Sequence, residues 1–156
     1  MVIQRWQSLL LLVAAVMMGC FTFFSIGQVA TTDYTFNFTS MGFTYEGEAT
    51  DGAPSGTFLP TWYFFALSLT SAVLLLIDIF LYGNLRLQKR VAWVSVLLIV
   101  ASAAVCATLG YTAVEGGSIE WSELVIAPLI ALIGTLLAIN RIQSDHNKLR
   151  AVDRIR

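Results

Sequence analysis

The sequence predicts an all-α membrane protein: a four-helix transmembrane bundle with a small periplasmic β-hairpin in its first outer loop. Three observations carry that expectation. The chain of 156 residues is 57% hydrophobic and only 12% charged, about half the charge of an ordinary soluble domain. Its apolar residues gather into four long runs. Its cations fall in alternate connecting segments only.

A helix needs about 20 mostly apolar residues to cross a hydrocarbon core about 30 Å thick. Four segments meet that length, at about residues 6–26, 60–82, 91–113 and 123–139. Together they make one four-span domain over residues 1–156, with an outer loop at 27–59 and a tail at 140–156. Pro128 stands at the start of the fourth span, where a missing backbone N–H does little harm.

The nine cations are Arg5, Arg86, Lys89, Arg90, Arg141, Lys148, Arg150, Arg154 and Arg156. All lie in the N-terminal stub, the short connector between spans two and three, or the tail. The other two loops carry acids such as Asp33, Glu46, Glu115 and Glu120, and no Lys or Arg. Lys and Arg accumulate on the cytoplasmic side of membrane proteins. Four crossings place all three basic segments on one face, so both termini are expected in the cytoplasm. The Gly19-Cys20 pair after an apolar run resembles a lipoprotein signal. Apolar sequence continues past it as FTFF, so the segment is expected to remain as the first span.

The loop at 27–59 alternates in period two. Tyr34, Phe36 and Phe38 are interleaved with Thr35 and Asn37, and Phe43 and Tyr45 with Thr44 and Glu46. Alternation about a Gly-containing turn is a hairpin signal. The five aromatic residues, Tyr34, Phe36, Phe38, Phe43 and Tyr45, are expected to rest on the bundle or the lipid interface, or to dock a partner. The tail carries an apolar stripe of Ile142, Leu149, Val152 and Ile155, surrounded by Arg150, Arg154 and Arg156. Such a helix lies on anionic headgroups or docks on another membrane protein, and the spacing leaves both open.

Within the spans, Asp78 is the one ionisable residue at depth. Intramembrane carboxylates are costly and often functional. Asn84 and Arg86 stand close enough in sequence to pair with it, which would make it structural. A proton or cation site is the sharper reading, although no second carboxylate is expected at its depth. Small residues recur four apart, as Ser102, Cys106 and Gly110 and as Ala127, Ala131 and Thr135, which lets helix backbones approach closely. No nucleophile elbow, HExxH or phosphate loop is present. No catalytic residue, cofactor, metal site or nucleic-acid partner is expected.

The two ends are more specific. The opening MVIQRWQSLLLLVAAV holds Ile3, Gln4 and Arg5, and the closing KLRAVDRIR ends on Asp153 to Arg156. These ends, with the four spans and the long first outer loop, resemble a bacterial family of inner-membrane proteins known as domain of unknown function 4293, found in Bacteroidota. One extra residue, Val2, precedes the family's opening. The resemblance implies a cytoplasmic-membrane location and carries no activity, so no catalytic residue is transferred. The expected role is that of a non-enzymatic accessory or structural subunit of a larger membrane complex, such as a secretion or insertion machine. A small oligomeric transporter or channel using Asp78 is the alternative.

Overall fold

The structure is a computed structural model that describes residues 2–31, 34–46, 56–113 and 117–153, with side chains given for all but 2–5, 146 and 148–153. Four α-helices run antiparallel in sequence order: α1 (Val2–Phe23), α2 (Trp62–Phe80), α3 (Leu85–Thr112) and α4 (Ala127–Asp153). All four contain stretches long and apolar enough to cross a membrane. One-turn 3-10 helices, Leu81–Gly83 and Glu123–Ile126, precede α3 and α4. The helices form a ring in which α1 touches α2 and α4, and α3 touches the same two.

The inward faces explain the ring. The buried residues of α1 include Leu11, Ala14, Met18 and Phe21, and those of α3 include Gln88, Ala92, Ser95, Ile99, Ser102 and Cys106. Spacings alternate between three and four residues, the repeat that packs knobs into holes at shallow crossing angles. The opposite faces are apolar too. Leu12 and Val16 of α1, Leu76 of α2, Leu97 of α3 and Ile133 of α4 are all exposed. Helices hydrophobic on every side suit a lipid surround.

The strand content corrects the all-α expectation. The expected hairpin strands are present as β2 (Thr35–Thr39) and β3 (Gly42–Glu46), but they are two of five. They are joined by β1 (Gly27–Ala30), β4 (Thr57–Pro60) and β5 (Ser118–Trp121) in one antiparallel sheet of order β4-β3-β2-β1-β5. β5 comes from the other outer loop, between α3 and α4, and pairs Glu120 with Gln28 and Trp121 with Gly27. The two loops are therefore one folded unit.

The sheet is a lid built into the protein's core. Register aligns Trp121, Gly27, Phe38, Phe43 and Leu59 across all five strands. Phe38 and Phe43 are fully buried and belong to the same apolar core as Met18 and Phe21 of α1 and Phe64 of α2. The next row across β5, β1, β2, β3 and β4 reads Glu120, Gln28, Asn37, Thr44 and Thr57. Period-two alternation thus turns an aromatic row to the bundle and a polar row away from it.

Two glycines permit this packing. Gly42 has φ +143°, and a Cβ there would stand 2.2 Å from the Leu59 carbonyl oxygen. A Cβ on Gly110 would meet the Trp121 ring at 2.3 Å, so the smallest residue of α3 lets β5 settle on the helix. The sequence pattern read Gly110 as a helix-packing residue; its neighbour is the sheet.

Candidate functional site

The polar interior lies at the end opposite the sheet, where the α2–α3 connector stands beside the start of α1 and the latter part of α4. Phe21 of α1 and Phe64 of α2 meet edge to face near the lid, with centroids 5.8 Å apart. Gln7 precedes Phe21 by fourteen residues and Asp78 follows Phe64 by fourteen. On antiparallel helices, each displacement is roughly 21 Å at 1.5 Å per residue. Gln7 and Asp78 therefore stand at the same level.

Each remaining helix adds a polar side chain to this level. Gln7 Nε2 donates to Asp145 Oδ2 of α4. Gln88 of α3 donates through Nε2 to the Asp78 main-chain oxygen at 3.2 Å. Gln7, Asp78 and Gln88 are buried and Asp145 is half-buried. Sequence reading expected no second carboxylate at the depth of Asp78. α4 supplies Asp145 because it continues as helix well beyond residue 139, to Asp153.

Asp78 has no expected partner. Its side chain is wholly buried, and among the described residues neither Oδ1 nor Oδ2 receives a hydrogen bond. Gln88 Oε1 is also without a donor. Asn84 is spent on capping α3, its side chain accepting from the Leu87 N–H at 3.3 Å. Arg86 is exposed and forms no ion pair among the described residues. Three buried side-chain oxygens on α2 and α3 thus lack a donor among the described residues, an arrangement rare in folded proteins.

The hydroxyls above this layer behave differently. Ser71 of α2 donates to the Ser68 carbonyl at 2.7 Å, Ser102 of α3 to Ile99 at 2.8 Å, and Thr135 of α4 to Ala131 at 2.7 Å. Each bonds back to its own helix, as is usual in lipid-embedded helices. Above them Phe21, Phe64, Phe38 and Phe43, all fully buried, fill the axis beneath the sheet.

The other sequence-derived candidates separate into groups. Phe36, Phe38 and Phe43 are buried inside the chain, Tyr45 is half-buried and Tyr34 is exposed. Tyr34 and Phe36 both pack on Tyr45, at 5.7 and 5.0 Å. Ile142 is buried against the bundle. Leu149, Arg150, Val152, Arg154, Ile155 and Arg156 lie outside the residues whose side chains are described. Gln7, Gln88 and Asp145 were missed. A polar residue on a lipid-embedded helix faces inward, so Gln88, Ser95 and Ser102, seven apart, carried a readable signal.

A bundle of four membrane-length helices, lidded by a sheet from both connecting loops and holding an unpaired carboxylate at its far end, defines the class of this protein. No group of three or more His, Cys, Asp or Glu side chains stands ready for a metal ion among the described residues. The chain belongs to the family described as Domain of unknown function (DUF4293), which it matches over residues 3–155. No curated protein matches it.

Proposed function

We propose that this is a non-enzymatic, four-span protein of the bacterial cytoplasmic membrane, serving as an accessory or structural subunit of a larger membrane assembly. Its sheet faces outward, and its connector and termini face the cytoplasm. Charge supports the orientation: Arg86, Lys89, Arg90 and Arg141 stand at the connector end, and Glu46, Glu120 and Glu123 at the sheet end.

The observation that carries the subunit reading is the lid itself. A closed bundle needs no such structure to cross a membrane, yet both loops are invested in an ordered sheet with a polar outer row. Among the described residues β4 and β5 each have one sheet neighbour, which leaves two edges able to accept a partner strand. The self-bonded hydroxyls and the aromatic plug supply no water path through the bundle axis, which weighs against a channel within one copy.

Purification in mild detergent followed by quantitative mass spectrometry tests this reading. The wild-type chain is expected to hold a stoichiometric membrane partner. A Thr44→Arg, Glu120→Arg variant is expected to lose it while eluting as a folded species. A monodisperse homo-oligomer with no stoichiometric partner would contradict the reading.

Asp78 favours a second reading, a small oligomeric transporter, because a buried carboxylate without a donor is a common mark of an ion pathway. In that reading proteoliposomes would carry a proton or cation flux that Asp78→Asn abolishes.

A further inference from the structure

At the connector end, a groove of about 760 Å³ opens between α3 and α4, lined among others by Arg86, Lys89, Arg90, Trp93, Ile142 and Gln143. Residues 86, 89, 90 and 93 recur at helical spacing, so one face of α3 forms its wall. The order along that face is directional. Three cations come first, then half-exposed Trp93, then the exposed apolar Val94 and Leu97. At 1.5 Å per residue, Leu97 lies roughly 12 Å beyond Lys89 along the axis.

The cations are badly placed for the helix alone. They occupy the first two turns of α3, where the helix dipole is positive and carboxylates are favoured, and no acidic residue stands in the first turn. Among the described residues none of the three forms an ion pair. Lys89 Nζ donates to the neutral Gln143 Oε1 at 2.5 Å, which fixes it toward α4 without cancelling its charge. Positive charge is thus concentrated and left unneutralised in a groove whose lining also includes the apolar Leu85, Trp93, Val94 and Ile142.

We infer that this groove binds one anionic phospholipid, its phosphate held by Arg86, Lys89 and Arg90 and its acyl chain lying along Trp93, Val94 and Leu97. Arginine pairs with phosphate through two parallel hydrogen bonds. A ligand with charge at one end and hydrocarbon at the other matches the order of residues on α3. A soluble anion would leave the Trp93–Leu97 strip unused. The inference rests on the four-span reading and is independent of any partner protein.

Native mass spectrometry of the detergent-solubilised full chain, titrated with phosphatidylglycerol or phosphatidylcholine, tests it. Phosphatidylglycerol is expected to be retained in preference, with the preference weakening as salt rises. Arg86→Gln with Arg90→Gln is expected to weaken retention roughly tenfold or more, because charged hydrogen bonds are lost. Arg141→Gln, outside the groove, is expected to leave retention unchanged. Equal retention of both lipids, or an unaffected double variant, would overturn the site. Displacement of the lipid by an equal concentration of inorganic phosphate would overturn it in favour of a soluble anion. Should the double variant not fold, the selectivity and salt response of the wild-type chain still decide. Loss of every lipid, phosphatidylcholine included, would instead count against the four-span reading.

Discussion

Replacing Phe38 with alanine is expected to cost about 3–5 kcal/mol of stability, the usual range for truncating a fully buried phenylalanine. Phe38 is 0% exposed and joins elements far apart in sequence. Its ring stacks on Phe43 of β3 at 4.5 Å and on Phe64 of α2 at 6.2 Å, and meets Trp121 of β5 edge-on at 6.5 Å. Removing it opens a void where the lid, both outer loops and the bundle converge. Thermal unfolding in detergent should show the loss, and limited proteolysis should cleave the outer loops first. Thr35→Ala, in the same strand at a half-buried position with its side chain on the polar face, should change stability by no more than about 0.5 kcal/mol. Equal effects from the two substitutions would mean that the sheet does not rest on the bundle.

The same residue shows how far sequence carries the fold. Alternation at Tyr34, Phe36 and Phe38 located two strands correctly, because five residues on each side of a turn give period two room to appear. β1, β4 and β5 have four residues each. Two of them directly adjoin membrane spans: β1 begins at Gly27, just after the first expected span, and β4 ends at Pro60, where the second is expected to begin, so each is too short and too close to a helix to show its own period. Ser118-Ile119-Glu120-Trp121 alternates too, but its pairing with Gly27–Ala30 joins residues about ninety apart, and no local pattern encodes that contact. Span number was legible because hydrophobic length is a local property.

The site was half legible for a related reason. Asp78 stands out in any apolar run. Its surroundings depend on helix register, which is set by contacts such as Phe21 against Phe64. That register placed Gln88 beside the Asp78 main chain and left Asn84 and Arg86 turned to other tasks. The tail pattern predicts that span four continues as a helix, and α4 does so to Asp153. Its register, which the pattern does not give, brings Ile142 and Asp145 into the bundle.

Asp78→Leu is expected to stabilise the chain. Each buried acceptor left without a donor costs about 1–3 kcal/mol, and leucine removes two of the three orphaned oxygens at similar volume. A gain of about 1–3 kcal/mol corresponds to a rise of roughly 2–10 °C in melting temperature for a chain of this size. Asp78→Asn keeps the shape of the side chain and removes its charge, so it separates the two contributions. The measurement is a melting curve in detergent at fixed pH and salt, paired with proteoliposome flux for the asparagine variant. A more stable protein whose purified complex is intact fits the subunit reading. A destabilised Asp78→Leu variant would show that the carboxylate holds something in the folded protein, and a flux lost with Asp78→Asn would favour transport.

That two loops join in one lid, and that the lid lies on the periplasmic side as proposed, is tested most directly by a disulfide across it. Gln28 and Glu120 are direct antiparallel partners on β1 and β5, and such partners lie within disulfide reach. In a chain with Cys20 and Cys106 replaced by serine, Gln28→Cys with Glu120→Cys should oxidise spontaneously in growing cells, because disulfides persist in the periplasm and not in the cytosol. The expected result is an intramolecular cross-link, seen as a reductant-sensitive gel shift in cells quenched before lysis. Two free thiols in those cells, cross-linking only after lysis or not at all, would contradict either the sheet's place outside or its existence.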